Sequence, residues 1–526
     1  MLLIRWSGGR SNNRKFSNMK GAAHRVIFNT VILYLKIVIT MLISLITVPM
    51  VLRALGESDY GLYNLIAGVI SMLSFLNASM TIATQRYLSV AIGESNNYKL
   101  NEIYNNSIIL HLIIGVVIVV VFEFAAIFIF DGFLNIDPDR IQTAKAVYQF
   151  LVLSTFFTIL SVPYNAVMNA KEDMLAFSII GIFDSIVRLV IAYFILHSGG
   201  DRLMLYSLLI ASLTILITLI NRVYVKYRYR EFRFLPKEYV TVGRLIEMFG
   251  FAGWNTLGAV AMIGRNQGIA ILFNIFVGTI ANAAYGIANQ INGVLSYFSS
   301  TFQKAINPQL MQSHGMNDRE RLIRISCWSS KYSVLVLALF AVPIIIEMPY
   351  ILKIWLHEIP QYTIRFCQLI LVLSIVYQYS TGLMSAIQAV GKIKVYFIVM
   401  SILIIMNLPI SYLILKTGVP VYFCLIIFII IEIISFIVRL YMSSVLVKLP
   451  VARFLKTVLL PTIIVISIST MFAGMVHVYL SESFVRLLLV CIVYFISYSV
   501  CSWMWCIDKS HRVHLKSLVC KILKCK

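Results

Sequence analysis

Long apolar runs, each ended by charge, glycine or proline, recur along most of the 526-residue chain. They fall near 26–52, 60–88, 105–130, 146–169, 175–196, 203–224, 245–277, 281–304, 327–349, 363–389, 395–415, 419–443, 456–478 and 484–505. A helix needs roughly 20 apolar residues to cross a bilayer. The pattern therefore predicts an all-α polytopic membrane protein with about fourteen transmembrane helices. The polar segments between the runs are too short to fold as a catalytic domain. The seventh run is too long for one straight span. It holds Gly264, Arg265, Asn266, Gln267 and Gly268 near its middle, which predicts a break or bend there.

The chain also resembles itself. Tyr60–Ser71 (YGLYNLIAGVIS) and Tyr285–Ser296 (YGIANQINGVLS) are identical at seven of twelve positions. Ile191–Gly199 (IAYFILHSG) and Ile410–Gly418 (ISYLILKTG) are identical at five of nine. The offsets, 225 and 219, map the second helix onto the eighth and the fifth onto the eleventh. A unit of six helices repeats with the same orientation across a membrane, so the two lobes form a parallel repeat. The expected organisation is a basic N-terminus 1–25, an N-lobe 26–224, a basic linker 225–244, a C-lobe 245–443, an added helix pair within 444–505, and a basic tail 506–526. The linker carries Arg228, Arg230, Arg233 and Lys237 and is expected to rest on anionic headgroups.

Composition sharpens this picture. The chain is 60% hydrophobic and 13% charged, against about 45–50% and about 25% in soluble domains. That excludes a soluble enzyme, a secreted disulfide scaffold and a disordered tail. The net charge is +22, from 44 Lys+Arg and 22 Asp+Glu. With both termini cytoplasmic, 31 basic residues fall on the cytoplasmic side and 8 on the other, while Lys36, Arg86, Arg188, Arg265 and Arg439 lie inside helices. The positive-inside bias accounts for the charge, so no nucleic-acid partner is expected. Residues Met1–Lys20 lack the compact apolar stretch of a cleavable signal, and both Met1 and Met19 stand as starts. The eight cysteines include no C-x-x-C pair and read as inert thiols; Cys520 and Cys525 lie in the basic tail, where palmitoylation is the alternative. Walker A, H-E-x-x-H and G-x-S-x-G motifs are absent. A transporter is expected, not an enzyme, with no cofactor, catalytic residue or metal site and with Na+ or H+ as candidate coupling ions.

Several stretches resemble a known family. Leu55-Gly56-Glu57-Ser58-Asp59-Tyr60-Gly61-Leu62-Tyr63 resembles the L-G-x-x-x-Y-G-x-Y turn of bacterial polysaccharide flippases, within the multidrug/oligosaccharidyl-lipid/polysaccharide exporter superfamily. Trp254-Asn255, Asn266-Gln267-Gly268, Ala281 to Ala288 and Phe302 to Gln309 resemble the seventh and eighth helices of the same group. The resemblance covers about 25–450. It implies alternating-access flipping of undecaprenyl-diphosphate-linked oligosaccharide repeat units across the bacterial inner membrane, for polysaccharide, lipopolysaccharide O-antigen or capsule synthesis. The implied partners are the lipid-linked oligosaccharide, membrane lipids, a polysaccharide polymerase and a chain-length regulator. Fourteen helices favour this branch over drug exporters, which usually have twelve; a cation-coupled drug/toxin antiporter of the same superfamily is the alternative.

Ionisable residues inside a membrane are costly and so are functional candidates. Arg265, Lys36 and Arg86 are the candidate cations for an anionic cargo head, since arginine's planar fork suits phosphate. Asn266, Gln267 and Asn289 are candidate hydrogen-bond donors to its hydroxyl groups. Glu432, Glu123 and Asp184 are candidate ion-coupling carboxylates. Asp184 stands four residues before Arg188, and Glu432 seven before Arg439, so each carboxylate shares a helix face with an arginine and a structural ion pair competes with the functional reading.

Overall fold

The computed structural model describes residues 9–71, 74–130, 138–356 and 359–506. The expected C-terminal tail beyond 506, with Cys520 and Cys525, and residues 1–8 lie outside them. Among the described residues there is no strand, and fourteen helices have at least 18 residues. They are α1 Gly9–Ser71, α2 Ser74–Glu94, α3 Asn97–Phe128, α4 Ile141–Ala170, α5 Met174–His197, α6 Arg202–Arg228, α7 Val242–Val277, α8 Thr279–Gly315, α9 Arg319–Ile346, α10 Thr363–Val390, α11 Lys394–Lys416, α12 Phe423–Leu446, α13 Leu460–Tyr479 and α14 Phe484–Cys501. Twelve candidate spans, one of them the α1 stretch Phe28–Gly56, are long and apolar enough to cross a membrane. Helices α2 and α8 are not among them. Both belong to the second and eighth helices, which the repeat pairs. Helix α8 carries Asn282, Asn289, Gln290 and Asn292 in its first half, which lowers its hydropathy.

The first two expected helices run into one another. Helix α1 continues to Ser71, and its break in helical geometry is at Gly56, φ +78°. A side chain rarely adopts that conformation, so glycine suits the corner. Gly278, φ +94°, makes the corresponding corner between α7 and α8. Beyond each corner the matched asparagines behave alike: Asn64 donates to the Tyr60 carbonyl (2.8 Å) and Asn289 to the Tyr285 carbonyl (3.0 Å).

The helices fall into two compact units. One holds the chain up to Thr256 together with Asn307–Asn317; the other holds Leu257–Ile306 and the chain from Asp318. In the first unit α3 packs on α4, α4 on α6, and α5 on α6. In the second, six helices on, α9 packs on α10, α10 on α12, and α11 on α12. These three packings recur at the six-helix offset that the sequence repeat predicts. Each unit has its own core: Phe122, Val147, Tyr148 and Leu151 in the first, and Phe273, Phe366, Leu371 and Phe428 in the second.

The seventh helix departs from expectation. Helix α7 is continuous through 264–268. Gly268 there makes room for a neighbour: a Cβ would lie 2.6 Å from a methyl of Leu408 in α11. Its 36 residues span about 54 Å, well beyond the roughly 30 Å of hydrocarbon. In the first unit, α2 meets the end of α8 backbone against backbone. A Cβ on Gly93 would lie 2.2 Å from the Gln312 carbonyl oxygen, and one on Gly315 2.1 Å from that of Val90. Gln312 also donates to the Ala170 carbonyl (2.8 Å) and Gln309 to Glu172 (2.9 Å).

The added pair α13 and α14 belongs to the second unit and packs on α9. Tyr494 and Tyr498 donate to the carbonyls of Ala338 (3.1 Å) and Leu335 (2.9 Å). Glu347, fully buried at the end of α9, receives Arg486 at 2.9 Å and His477 at 2.7 Å. A carboxylate withdrawn from water needs such partners.

Candidate functional site

The second unit gathers ionisable groups deep within three of its helices. Glu432 and Arg439 lie two turns apart on α12, which brings both to one face. Their carboxylate and guanidinium pair directly, and they are 5% and 3% exposed. Arg439 also donates to the Ser380 hydroxyl of α10 (3.0 Å) and lies over the Tyr377 ring, 5.6 Å from its centre. Arg265 comes from α7. It is buried against the Phe428 ring of α12 (4.9 Å), and its Nε and Nη2 both donate to the Asn266 side-chain oxygen (3.2 and 3.1 Å). Phe428 stands one turn before Glu432 on α12, which brings a second arginine close to the pair. Two arginines thus lie near one carboxylate. The pairing satisfies Glu432, while Arg265 keeps a neutral amide as its hydrogen-bond acceptor. A buried cation so placed is a receptor for a further acceptor group.

The other expected site residues are dispersed. Gln267 and Asn289, also in the second unit, are exposed, and Asn289 bonds within its own helix. Lys36 lies in the first unit, its Nζ 4.0 Å from the centre of the Phe177 ring. Gly181 gives it room, since a Cβ there would lie 2.5 Å from that nitrogen. Arg86, also in the first unit, lies over the rings of Tyr87 and Phe251, 4.8 Å from each centre. Glu123 is exposed and accepts from Gln149 (3.1 Å). Asp184 pairs with Arg188 at 2.9 Å. Tyr377, Ser380 and Phe428, which frame the cluster, escaped the sequence reading because they carry no charge to mark them. Among the described residues no group of three His, Cys, Asp or Glu side chains is placed to hold a metal ion.

Comparisons with known proteins bear on the cargo. Residues 33–194 match the MatE family model. No curated protein matches the chain by sequence. Solved structures do. A MATE protein in the straight conformation superposes with a TM-score of 0.69 at 14% identity, over 81% of this chain and 96% of its own. A multidrug resistance MATE family transporter of the MOP superfamily, in an outward-facing conformation, gives 0.68 at 14% identity, over 81% and 95%. A MOP superfamily transporter from Pyrococcus furiosus, described as having a binding pocket of reverse polarity that suggests a different function, gives 0.71 at 14% identity, over 82% and 96%.

These matches overturn the expectation of a polysaccharide flippase and back the drug/cation antiporter that stood as its alternative. The misleading residues are corner and packing positions. Gly56 makes a turn, and Asn255 bonds to the Phe251 carbonyl of its own helix, so they report the fold and not the cargo. Nor does the number of helices discriminate, since twelve candidate spans are present among the described residues. The chain is a polytopic membrane protein with the MATE transporter fold, and its residues 33–194 carry a MatE domain.

Proposed function

We propose that this chain is a cation-coupled antiporter that exports drug- or toxin-like amphipathic compounds across a bacterial cytoplasmic membrane, with both termini inside. The observation that carries the reading is the Glu432–Arg439 pair with Arg265 beside it, all buried in membrane-spanning helices. Antiport needs the driving ion and the cargo to weaken one another's binding, a reciprocal coupling. Glu432 can serve both: a proton or Na+ on its carboxylate displaces a cationic or donor group of the cargo, and arrival of that group displaces the ion. Arg265, held on a neutral amide, takes an acceptor group of the same cargo.

The test is uptake of a fluorescent amphipathic dye bearing a quaternary ammonium group by proteoliposomes under imposed H+ or Na+ gradients. Wild type should accumulate dye when the ion gradient points outward. Glu432→Gln should lose the response to the gradient at least about tenfold, as a lost charge-assisted bond implies. Uptake by the wild type that ignores both gradients would overturn the reading.

A further inference from the structure

We propose that the strap joining α6 to α7, residues 229–241, with the helix ends that flank it out to 222 and 249, is a preorganised binding surface for anionic phospholipid headgroups. Five hydrogen bonds from three asparagine side chains of α3 hold its backbone. Asn101 accepts the Arg233 N–H (2.7 Å). Asn105 donates to the Arg233 carbonyl and accepts the Leu235 N–H (both 2.7 Å). Asn106 donates to the Tyr239 carbonyl (2.8 Å) and accepts the Thr241 N–H (3.1 Å). Fixed in this way the strap turns Phe232 inward, edge-on to Tyr104 with ring centres 5.3 Å apart, and turns Arg233 outward.

The outward side is basic. Arg222, Lys226, Arg228, Arg230, Arg233 and Lys237 are all exposed, and none has an ion-pair partner among the described residues. The other charges of the strap are otherwise engaged: Glu231 pairs with Lys171 (2.8 Å), and Arg244 with Glu102 (3.1 Å) and with Glu247. Glu238 and Glu247 are the exposed carboxylates among these residues, and Glu247 is the one already paired with Arg244. Burial raises the Glu231 carboxyl, but the Lys171 bond, a backbone amide and the charges of Lys171 and Arg228 together outweigh it and hold the group below the usual carboxylate range, so this pairing persists at neutral pH.

Charge alone would serve any polyanion. What selects a lipid is the apolar surface interleaved with it. Phe234 and Leu235 are exposed between Arg233 and Lys237. Val242, Ile246 and Phe249 follow at i, i+4 and i+7 on one exposed face of α7, a membrane-spanning helix. The surface thus runs from cations through apolar side chains into a hydrocarbon-facing helix, the sequence of environments met from headgroup to acyl chain. Each cation near an anionic membrane surface strengthens attraction by roughly fivefold. The clamp removes the need to order the strap on binding.

The full chain would be reconstituted in nanodiscs of phosphatidylcholine mixed with phosphatidylglycerol. Phosphatidylglycerol retained through detergent extraction would then be measured against phosphatidylcholine. Wild type should enrich the anionic lipid, and R230Q/R233Q/K237Q should reduce that enrichment at least about tenfold. N105A keeps every charge and should reduce it about two- to fivefold, because the backbone it holds is freed. If the triple variant does not purify, R230Q and K237Q singly should each lower enrichment by up to roughly fivefold. No enrichment by the wild type, or wild-type enrichment in the charge variants, would overturn the proposal. So would displacement of the lipid by soluble glycerol phosphate at matched concentration, which would mark a free-phosphate site.

Discussion

At the scale of single residues, the second unit's cluster is where charge is most constrained. Removing Arg439 leaves Glu432 buried without its ion-pair partner. Breaking a buried pair from one side costs about 3–5 kcal/mol. Arg439→Gln should therefore lower the melting temperature in detergent more than Arg265→Ala, since Arg265 gives up a bond to a neutral amide and a ring contact. For transport the order reverses relative to stability. Arg265→Ala should fold and lose roughly ten- to hundredfold in cargo uptake, from about 1.5–3 kcal/mol of charge-assisted bonding. Arg265→Lys should keep part of it. Normal uptake by a well-folded Arg265→Ala would remove this arginine from the cargo site. The charged members were legible in the sequence because a charge inside an apolar run stands out. Their company was not. That Arg265 meets Phe428, or that Ser380 caps Arg439, depends on residues 163 and 59 positions apart coming together, which no local pattern encodes.

At the scale of elements, helix ends and helix crossings carry the specific chemistry. Asp201 caps α6 by accepting from the Met204 amide (3.1 Å). It also receives the Thr143 hydroxyl (2.6 Å) and Arg140 (3.2 Å). Burial pushes its carboxyl up, but the Thr143 bond, the backbone amide and Arg140 prevail, and it is held below the usual carboxylate range. A depressed folded value gives stability that is present above the unfolded value, near about 4, and lost as pH falls through the folded one. Asp201→Asn keeps a capping oxygen and removes the charge. The difference in melting temperature between wild type and this variant should be largest near neutral pH and should shrink below about pH 4. A constant difference from pH 7 to pH 3 would mean the charge contributes nothing. At the crossing of α2 and the end of α8, Gly93→Ala puts a methyl 2.2 Å from a backbone oxygen, and overpacking costs about 1–3 kcal/mol or more. Gly286→Ala, with nothing within 4 Å, should be neutral or gain up to about 1 kcal/mol from helix propensity. Thermal unfolding of the two variants should fall on opposite sides of the wild type. The run lengths and the repeat were readable from hydropathy and from matched polar positions. The continuity of α7 was not, because a glycine that admits Leu408 and a glycine that bends a helix look the same in one dimension.

At the scale of the whole molecule, the asymmetry of basic residues sets an orientation to be measured. A reporter active only in the cytoplasm should be active when fused after Arg233 and inactive after Gly199; the opposite pattern would invert the topology. The way the chain is shared between its units has a consequence for its birth. The first unit takes its last piece, Asn307–Asn317, from beyond Ile306, after 50 residues that belong to the second. At roughly 5–20 residues per second, the ribosome spends several seconds between delivering Thr256 and delivering that piece. Through this interval the surface around Gly93, Ala170 and Glu172 waits without its partner. The nascent N-terminal half therefore emerges into the membrane unfinished, and its quality control falls to whatever factors attend it until the eighth helix is made. A chain stopped at Thr256 and supplied in trans with residues 257–526 should mature only when both pieces are made together.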